Sequence, residues 1–453
     1  MHEQVLNLLQ EKRFTTLKSL LQTTNPADIA LLTKELPEEY LPLLFRILPK
    51  ELASDTFVNM EPDMQELLIK TFSDSELKAV LDDLFLDDTV DIIEEMPANV
   101  VKRILRHTDP ERRKMINQVL NYPKDSAGSI MTIEYVDLKK DMTVADAFTR
   151  IRKTGLDKET IYTCYVTNPY RKLIGLVSVK TLLLSAGDQI IGDIMETNLI
   201  YVDTLVDKED VAHMFDKYDF LALPVVDQEK RLVGIITVDD AMDVIQEENT
   251  EDFTKMAAMS PIDESYFRAS VWHHAKNRIV WLLLLMLSAT LTGIIITRYE
   301  KAFEAIPLLV AFIPMLMDTG GNCGSQSATM IIRGLALDEI HPKDIFKVMF
   351  KECRIALIVG FALTLVNTLR IIIMYHKSTQ VHAYVLALVL GITLMATILL
   401  AKMIGCILPI AAKKLRLDPA IMAAPLITTI VDTCSVLIFF NVAMAFMDAL
   451  IKI

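Results

Sequence analysis

The sequence predicts a multidomain membrane protein with an all-α superhelical N-terminal domain, an α/β tandem repeat, an amphipathic connecting helix and a five-helix transmembrane domain. Two observations predict this fold class. Up to about residue 270, charged and apolar residues are mixed as in a soluble protein, whereas residues 279–453 form a series of long apolar runs. Within the soluble half, two stretches of roughly sixty residues repeat each other.

The composition restricts the classes of function. A net charge of −13 argues against nucleic acid as a partner and favours the attraction of cations. The five cysteines include no Cys-x-x-Cys pair, so neither a disulfide framework nor a zinc site is predicted. We recognise no HExxH motif, P-loop or nucleophile–base arrangement and predict that the protein is not an enzyme. The N-terminus lacks the apolar core of a signal peptide, which predicts a cytoplasmic soluble half.

Residues 1–127 predict an acidic, all-helical domain. Apolar residues recur at helical spacing between short polar breaks, several of which contain a proline. Short helices that cannot each bury an apolar face alone predict a superhelical array. Asp87, Asp91 and Glu95 are spaced four residues apart and form one acidic stripe, a pattern typical of a solvated helix face.

Residues 128–191 and 192–248 are two copies of one α/β unit. Each copy opens with an Ile-Met pair and closes with a β-branched segment that leads into a helix, at 173–180 and at 232–239. This tandem repeat resembles a pair of CBS domains.

The second copy carries Gly234, Thr237 and Asp240 at the spacing Gly-x-x-Thr-x-x-Asp. In CBS pairs such a motif can hold an adenosine nucleotide, so the resemblance implies ATP as a ligand, with the Asp at the ribose and the Thr near phosphate. In the first copy Thr181 stands at the acidic position, which implies a single nucleotide site. The alternative is structural, with the glycine in a tight turn and the aspartate capping the next helix.

Residues 249–278 mix aromatic, apolar and basic side chains, which predicts an amphipathic helix at the cytoplasmic face of the membrane. Five apolar runs predict the membrane spans, at residues 279–297, 306–332, 355–375, 381–408 and 421–451. Lys and Arg concentrate in the loops after the second and fourth spans. The positive-inside rule therefore predicts a protein of the cell membrane with its soluble half in the cytoplasm and its C-terminus outside.

Polar residues stand inside two predicted spans. Asp432 lies near the centre of the fifth, where an ionised carboxylate costs about 2.5–3.5 kcal/mol unless it faces a bundle interior, water or a cation. A protonated Asp that serves helix packing is the alternative. The second span carries Asp318, Asn322 and three glycines after Pro314, which predicts irregular backbone lining a cavity, although close packing also explains the glycines. We predict that Asp318, Asn322 and Thr428 line a permeation path.

Together these features resemble the MgtE family of magnesium transporters or channels. The most specific matches run from Asp318 to Ala336 and from Leu417 to Asp432. Ser435 departs from the pattern, since the family has Gly there. The resemblance implies a homodimer in the lipid bilayer with a pore along its two-fold axis, in which Asp432 of each subunit holds hydrated Mg²⁺.

The resemblance also implies that cytoplasmic Mg²⁺ regulates the pore. It assigns as regulatory ligands the carboxylates of Asp87, Asp91, Asp207, Glu209, Asp219, Glu248, Glu251, Asp252 and Asp418. Mg²⁺ prefers oxygen ligands and sheds water reluctantly, so a few carboxylates that bind through retained water suit it. Ions that bridge these carboxylates would draw the soluble parts together and close the pore. Two alternatives stay open: a broader divalent-cation transporter for Mn²⁺, Co²⁺ or Ni²⁺, and a transporter regulated by ATP.

Overall fold

The computed structural model describes residues 1–261, 266, 269–299, 306–377, 381–422 and 424–450. The chain forms two compact units, Met1–Gln246 and Glu247–Ile453.

The first part of the first unit is entirely helical, as the sequence predicted. Within residues 1–125, all of which the structure describes, the α-helices α1–α10 are His2–Gln10, Phe14–Leu21, Pro26–Glu35, Leu41–Ile47, Lys50–Val58, Pro62–Thr71, Asp74–Leu81, Leu86–Glu95, Ala98–His107 and Pro110–Val119. Proline begins α3, α6 and α10, where its missing N–H is not needed. The apolar faces of all ten helices bury into one continuous core.

Two small sheets of the same topology follow, which confirms the internal repeat. The strands β1–β6 are Asp137–Lys139, Thr163–Thr167, Leu173–Ser178, Val202–Asp203, Ala222–Val226 and Leu232–Thr237. In each sheet the first strand pairs parallel with the second, and the second pairs antiparallel with the third. The accompanying helices α11–α15 are Val144–Thr154, Val179–Leu184, Ile191–Ile194, Lys208–Tyr218 and Val238–Met256.

The two copies exchange their opening segments. Thr132, at the start of the first copy, exchanges two backbone hydrogen bonds of 2.8 Å with Ile235 in β6 of the second. Glu196, at the start of the second copy, pairs in the same way with Leu176 in β3 of the first. The boundary between the repeats along the chain is therefore not the boundary between the two sheets in space.

The second unit is helical. Its helices after α15 are α16–α21, at Val271–Arg298, Ile313–Ala336, Ile345–Tyr375, Ala383–Lys414, Ala424–Ala445 and Met447–Leu450. Among the described residues, four helical stretches are long and apolar enough to cross a membrane: Val271–Arg298, Pro342–Tyr375, Ala383–Lys414 and Pro419–Ala445. Helix α17, which contains Asp318 and Asn322, is not one of these four, although it packs into the same core. Residue 451, the last of the fifth predicted span, and residues 452–453 after it lie outside the described residues.

Helix α17 is one continuous α-helix, so the predicted break in the second span is wrong. Pro314 lies in the first turn, where its missing N–H removes no intrahelical hydrogen bond. The glycines allow close packing against α20. A Cβ on Gly321 would lie 2.6 Å from Thr428 Cγ2, and one on Gly320 would lie 2.9 Å from Val431 Cγ1. Close helix approach therefore explains these glycines.

The predicted helix over residues 249–278 is not a single helix. Its first part belongs to α15, which starts in the second repeat and ends at Met256, and its last part belongs to α16, which starts at Val271. Between them Ala258 has a φ of 54°. A left-handed residue followed by Pro261 ends the helix. Residues 262–265 and 267–268 of the predicted connector lie outside the described residues.

Candidate functional site

Carboxylates from the helical domain and from both repeats meet in the first unit. Asp87 and Asp88 lie in the first turn of α8, and Asp91 follows one turn later. Their charges interact with acidic residues of the first repeat and with the two aspartates at the start of α15. This acidic cluster consists of Asp87, Asp88, Asp91, Glu134, Glu159, Asp239 and Asp240.

Three members of the acidic cluster have the spacing of metal ligands. One carboxylate oxygen each from Asp87, Glu134 and Glu159 lie within 4.8 Å of one another. The Leu86 N–H donates to Glu134 Oε2 at 2.9 Å, which fixes the start of α8 against the first repeat. Glu159 Oε2 is buried and accepts no hydrogen bond from the described residues. An oxygen-only group of this size suits Mg²⁺ that retains several waters.

The electrostatics of the acidic cluster favour a cation. Burial and the charge of Asp240 raise the pKa of Asp87, which is 8% exposed, well above its usual range. Burial raises the pKa of Asp88 to about 6 and that of Asp240 to about 7. Burial and neighbouring aspartates raise the pKa of Glu159 to about 8. Each raised pKa means that the ionised carboxylate is unfavourable here unless a positive charge accompanies it.

The acidic stripe on α8 is only partly solvated. Asp87 is buried, so its interpretation as a solvated position is wrong, whereas Asp91 and Glu95 are exposed. Burial and the charge of Asp240 still raise the pKa of Asp91, although its side chain keeps access to solvent. Asp87 can therefore serve as an inner ligand and Asp91 as an outer one.

Sequence reasoning missed four members of the acidic cluster. Asp88 and Asp239 each adjoin a predicted residue, so their proximity in the chain could have indicated them. Glu134 and Glu159 belong to no motif, and only the folding of the first repeat against α8 brings them to Asp87.

The predicted ligands of the second repeat lie at the two ends of α14. Asp207 caps the N-terminus, and its Oδ1 accepts a 2.9 Å hydrogen bond from the Glu209 N–H. Asp219 ends the helix with a φ of 54°. Helix geometry separates the two ends by about 16 Å. The structure therefore brings Asp207 and Glu209 together but does not bring Asp219 to them.

The predicted nucleotide motif is arranged around one hydrogen bond. The Thr237 hydroxyl donates to Asp240 Oδ2 at 2.5 Å, and Asp240 belongs to the acidic cluster. Gly234 has a packing role, since a Cβ there would lie 2.7 Å from Met131 Sδ and 2.8 Å from the Thr132 carbonyl oxygen.

In the second unit, the packed helices α17 and α20 both carry polar side chains. Asn322 Nδ2 donates to Asp318 Oδ1 at 3.1 Å, and both side chains are exposed. On α20 the half-buried Asp432 lies one turn after Thr428, whose hydroxyl donates to the Ala424 carbonyl at 2.7 Å. The charges of Asp318 and Asp432 interact. The structure thus brings together the four residues predicted to form the permeation path.

Ser435, the departure from the family pattern, fits this helix contact. Its side chain is fully buried, and its hydroxyl donates to the Val431 carbonyl at 2.7 Å. A Cβ on Gly320 would lie 3.0 Å from Ser435 Oγ, so the hydroxyl fills the space that the glycine of α17 leaves.

Two further predicted ligands are paired with a lysine. Lys255 Nζ lies 2.6 Å from Glu251 Oε1 and 2.6 Å from Asp418 Oδ2. Partial desolvation lowers the pKa of Lys255, but hydrogen bonds to Asp418 and Glu251 outweigh it and raise the pKa above its usual range. Glu248 and Asp252 lie nearby on α15. The ammonium therefore stands where the resemblance implies a divalent cation.

Four membrane-length helices, carboxylates on the packed helices α17 and α20 and an oxygen-only cluster in the first unit are features typical of a membrane transport protein for divalent cations. A divalent cation transporter family model, MgtE, matches residues 313–442; an MgtE intracellular N domain model matches 24–125, and CBS domain models match 127–187 and 191–247. The chain is 34% identical to magnesium transporter MgtE of Thermus thermophilus over 97% of each chain. It is 32% identical to that of Bacillus subtilis over 98% of this chain and 97% of the relative. The chain belongs to the MgtE family of magnesium transporters.

Solved structures resemble the soluble part. The cytosolic domain of the Mg²⁺ channel MgtE in complex with ATP is 34% identical, with a TM-score of 0.52, and the match covers 54% of this chain and all of that one. The soluble part of a magnesium transporter is 28% identical, with a TM-score of 0.51, over 55% of this chain and 97% of that one. These similarities support the helical domain and the CBS pair as the architecture of the soluble half.

Proposed function

We propose that this protein conducts Mg²⁺ across the cell membrane and that cytoplasmic Mg²⁺, bound at the acidic cluster, closes the path. The observation that carries the regulatory part is the spacing of the Asp87, Glu134 and Glu159 oxygens, which lie within 4.8 Å of one another across two folded parts of the chain. Without a cation these carboxylates repel each other. Mg²⁺ neutralises them and holds α8 against the first repeat.

The permeation path passes Asp318, Asn322, Thr428 and Asp432. Asp318 and Asn322 are exposed on a helix of the membrane unit, and polar side chains there are costly unless they face protein or water. A second subunit that covers this surface along a two-fold axis provides such surroundings. At 24 residues, α17 is about 36 Å long and crosses the membrane as the second span. Together with the four membrane-length stretches it makes five spans, which leaves the C-terminus outside.

The CBS pair supplies a second surface for the homodimer. Leu183 on α12 and Met242 on α15 occupy corresponding positions of the two repeats, and they are 67% and 64% exposed. Exposed apolar side chains repeated in this way favour a contact between two copies of the chain.

Mg²⁺ flux into proteoliposomes tests the proposal. We expect uptake of Mg²⁺ that falls as Mg²⁺ is raised on the side of the soluble half, and competition by Mn²⁺, Co²⁺ and Ni²⁺ measures how broad the selectivity is. Uptake that ignores Mg²⁺ on that side would contradict the regulatory part alone.

An ATP-regulated transporter is the second candidate. It is favoured by the ATP-bound cytosolic domain of an MgtE channel, which this chain resembles at 34% identity. Asp240, whose oxygen already accepts from Thr237, would then contribute both to the nucleotide site and to the acidic cluster. Equilibrium binding of ATP to the whole protein, with and without Mg²⁺, tests this candidate.

We expect Mg²⁺ to bind the acidic cluster more weakly as the pH falls from 8 to 6. Asp88, Asp240 and Glu159 have raised pKa values of about 6, 7 and 8, so they gain protons in this range. Protons compete with Mg²⁺ for the same oxygens, and displacing one proton per ion lowers the apparent affinity about tenfold per pH unit. Calorimetric titration of the purified protein measures this affinity, and equal affinities at both pH values would contradict the assignment.

Stability without divalent cations changes in the opposite direction. A carboxylate whose pKa is raised by folding stabilises the fold fully below its unfolded pKa, and this contribution is lost as the pH rises through the folded pKa. In EDTA, the melting temperature should therefore fall between pH 6 and pH 8, where the contributions of Asp240 and Glu159 are still being lost. The contribution of Asp88, with a pKa of about 6, is lost mainly below this range. Added Mg²⁺ should raise the melting temperature more at pH 8 than at pH 6.

Replacing Lys255 by Met should increase Mg²⁺ flux at low cytoplasmic Mg²⁺. The ammonium holds Glu251 and Asp418 together, so α15 stays attached to the loop before α20 without a divalent ion. The pair is partly exposed, and we expect an increase of about two- to fivefold. Lys347→Met is the matched control, since Lys347 in the first turn of α18 pairs at 2.9 Å with Asp344, the residue before that helix. Equal flux in both variants would contradict a role for Lys255 in closure.

A further inference from the structure

The membrane unit buries a charged pair that the proposed function does not use. Lys402 on α19 is 4% exposed, Glu352 on α18 is 7% exposed, and Ser327 on α17 is 2% exposed. The Ser327 hydroxyl donates to Glu352 Oε2 at 2.6 Å, and Lys402 Nζ donates to Ser327 Oγ at 3.0 Å. Lys402 Nζ also lies 3.5 Å from Glu352 Oε2. These three residues, the buried triad, connect three helices.

A buried ion pair of this kind contributes little to stability by itself. The two charges lose their hydration, and well-packed apolar residues of similar volume often stabilise a fold as well or better. Ionisable residues inside membrane helices are also rare and usually have a function. The buried triad is therefore better explained by the geometry that it imposes than by the free energy of unfolding that it adds.

The buried triad constrains the rotation of α17 about its own axis. Around the buried triad, α17 packs on its neighbours through glycines. A Cβ on Gly324 would lie 2.8 Å from Ile427 Cγ2, and one on Gly405 of α19 would lie 3.1 Å from Ser327 Cβ. Such contacts bring helix backbones close together, but glycine offers no side chain that interlocks with a partner. The hydrogen bonds of Ser327 are directional and resist rotation or sliding of α17.

That rotation determines where the polar residues of the path lie. Asp318 and Asn322 are on α17, nine and five residues before Ser327, and the charge of Asp318 acts on Asp432 of α20. A rotated α17 would move Asp318 and Asn322 away from Asp432.

We propose that Lys402, Glu352 and Ser327 are positioning residues for permeation, which hold α17 at the rotation that places Asp318 and Asn322 beside Asp432. This inference rests on the proposed function, because it assumes that these polar residues line the Mg²⁺ path. It assigns a role to three residues that do not themselves contact the ion.

The test compares flux of Mg²⁺ and Ca²⁺ into proteoliposomes for the wild type and the double variant Glu352→Gln/Lys402→Met. The double variant has no uncompensated buried charge, so we expect it to fold with nearly the wild-type melting temperature. We expect its apparent KM for Mg²⁺ to rise about tenfold, because small displacements at a binding site have effects of this size. Its preference for Mg²⁺ over Ca²⁺ should fall as well.

Three further variants separate positioning from folding. The charge exchange Glu352→Lys/Lys402→Glu should regain part of the wild-type KM, and Lys347→Met, at an exposed lysine in the first turn of α18, should leave KM unchanged. A folded double variant with the KM and selectivity of the wild type would overturn the inference. If the double variant does not fold, Ser327→Ala decides, since it keeps both charges, and an unchanged KM would then overturn it. No Mg²⁺ flux in the wild type would instead contradict the proposed function.

Discussion

Replacing Asp432 by Asn should reduce Mg²⁺ flux into proteoliposomes by about one to two orders of magnitude, because the site loses a full negative charge in surroundings of low dielectric constant. The substitution keeps the shape of the side chain, so helix packing around the neighbouring Val431 and Ser435 should persist. The effect should appear in the flux at every cytoplasmic Mg²⁺ concentration, because it acts on permeation and not on closure.

Asp338→Asn is the matched control for this prediction. Asp338 lies in the loop after α17, 91% exposed and near His341, with a φ of 56° that Asn also tolerates. The Asp338→Asn substitution removes one negative charge outside the permeation path, so the flux of this variant should match that of the wild type. Wild-type flux in Asp432→Asn would exclude Asp432 from permeation and favour the packing explanation of this residue.

Replacing Glu134 and Glu159 together by Gln should raise the cytoplasmic Mg²⁺ concentration needed for half-inhibition by about tenfold or more. Gln keeps an oxygen that can accept from the Leu86 N–H, so the contact with α8 is preserved. Two of the three oxygens grouped around Asp87 lose their charge, while Asp88, Asp91 and the aspartates of α15 still repel one another. Flux at low Mg²⁺ should stay near the wild-type value.

The control for this pair is Glu38→Gln/Glu39→Gln. Both glutamates are exposed in the helical domain and are not members of the acidic cluster, so the same change in net charge should leave half-inhibition unchanged. An equal shift in both double variants would point to a general effect of charge. No shift in the Glu134 and Glu159 variant, with normal folding, would remove the acidic cluster from regulation.

Much of the architecture follows from patterns that are local in the chain. Helical periodicity with proline at first turns predicted the helical domain, and the similarity of the two repeats predicted the paired sheets. Both patterns involve residues that are close together in the sequence. Long apolar runs likewise predicted membrane helices, and among the described residues four helical stretches are long and apolar enough to cross a membrane. The interruption of the second span was wrongly predicted, because glycine in a sequence does not distinguish a broken helix from a closely packed one.

The sequence by itself determined the family, the domain order and the four polar residues that α17 and α20 bring together. Tertiary structure alone decided the rest. Glu134 and Glu159 join Asp87 only because the first repeat folds against α8. Lys255 pairs with Asp418, and Lys402 pairs with Glu352. The partners are so far apart along the chain that no repeating pattern in the sequence predicts them. The physical reason is that the charge of a side chain is a property of its type, whereas the partner that neutralises it is set by which surfaces pack together.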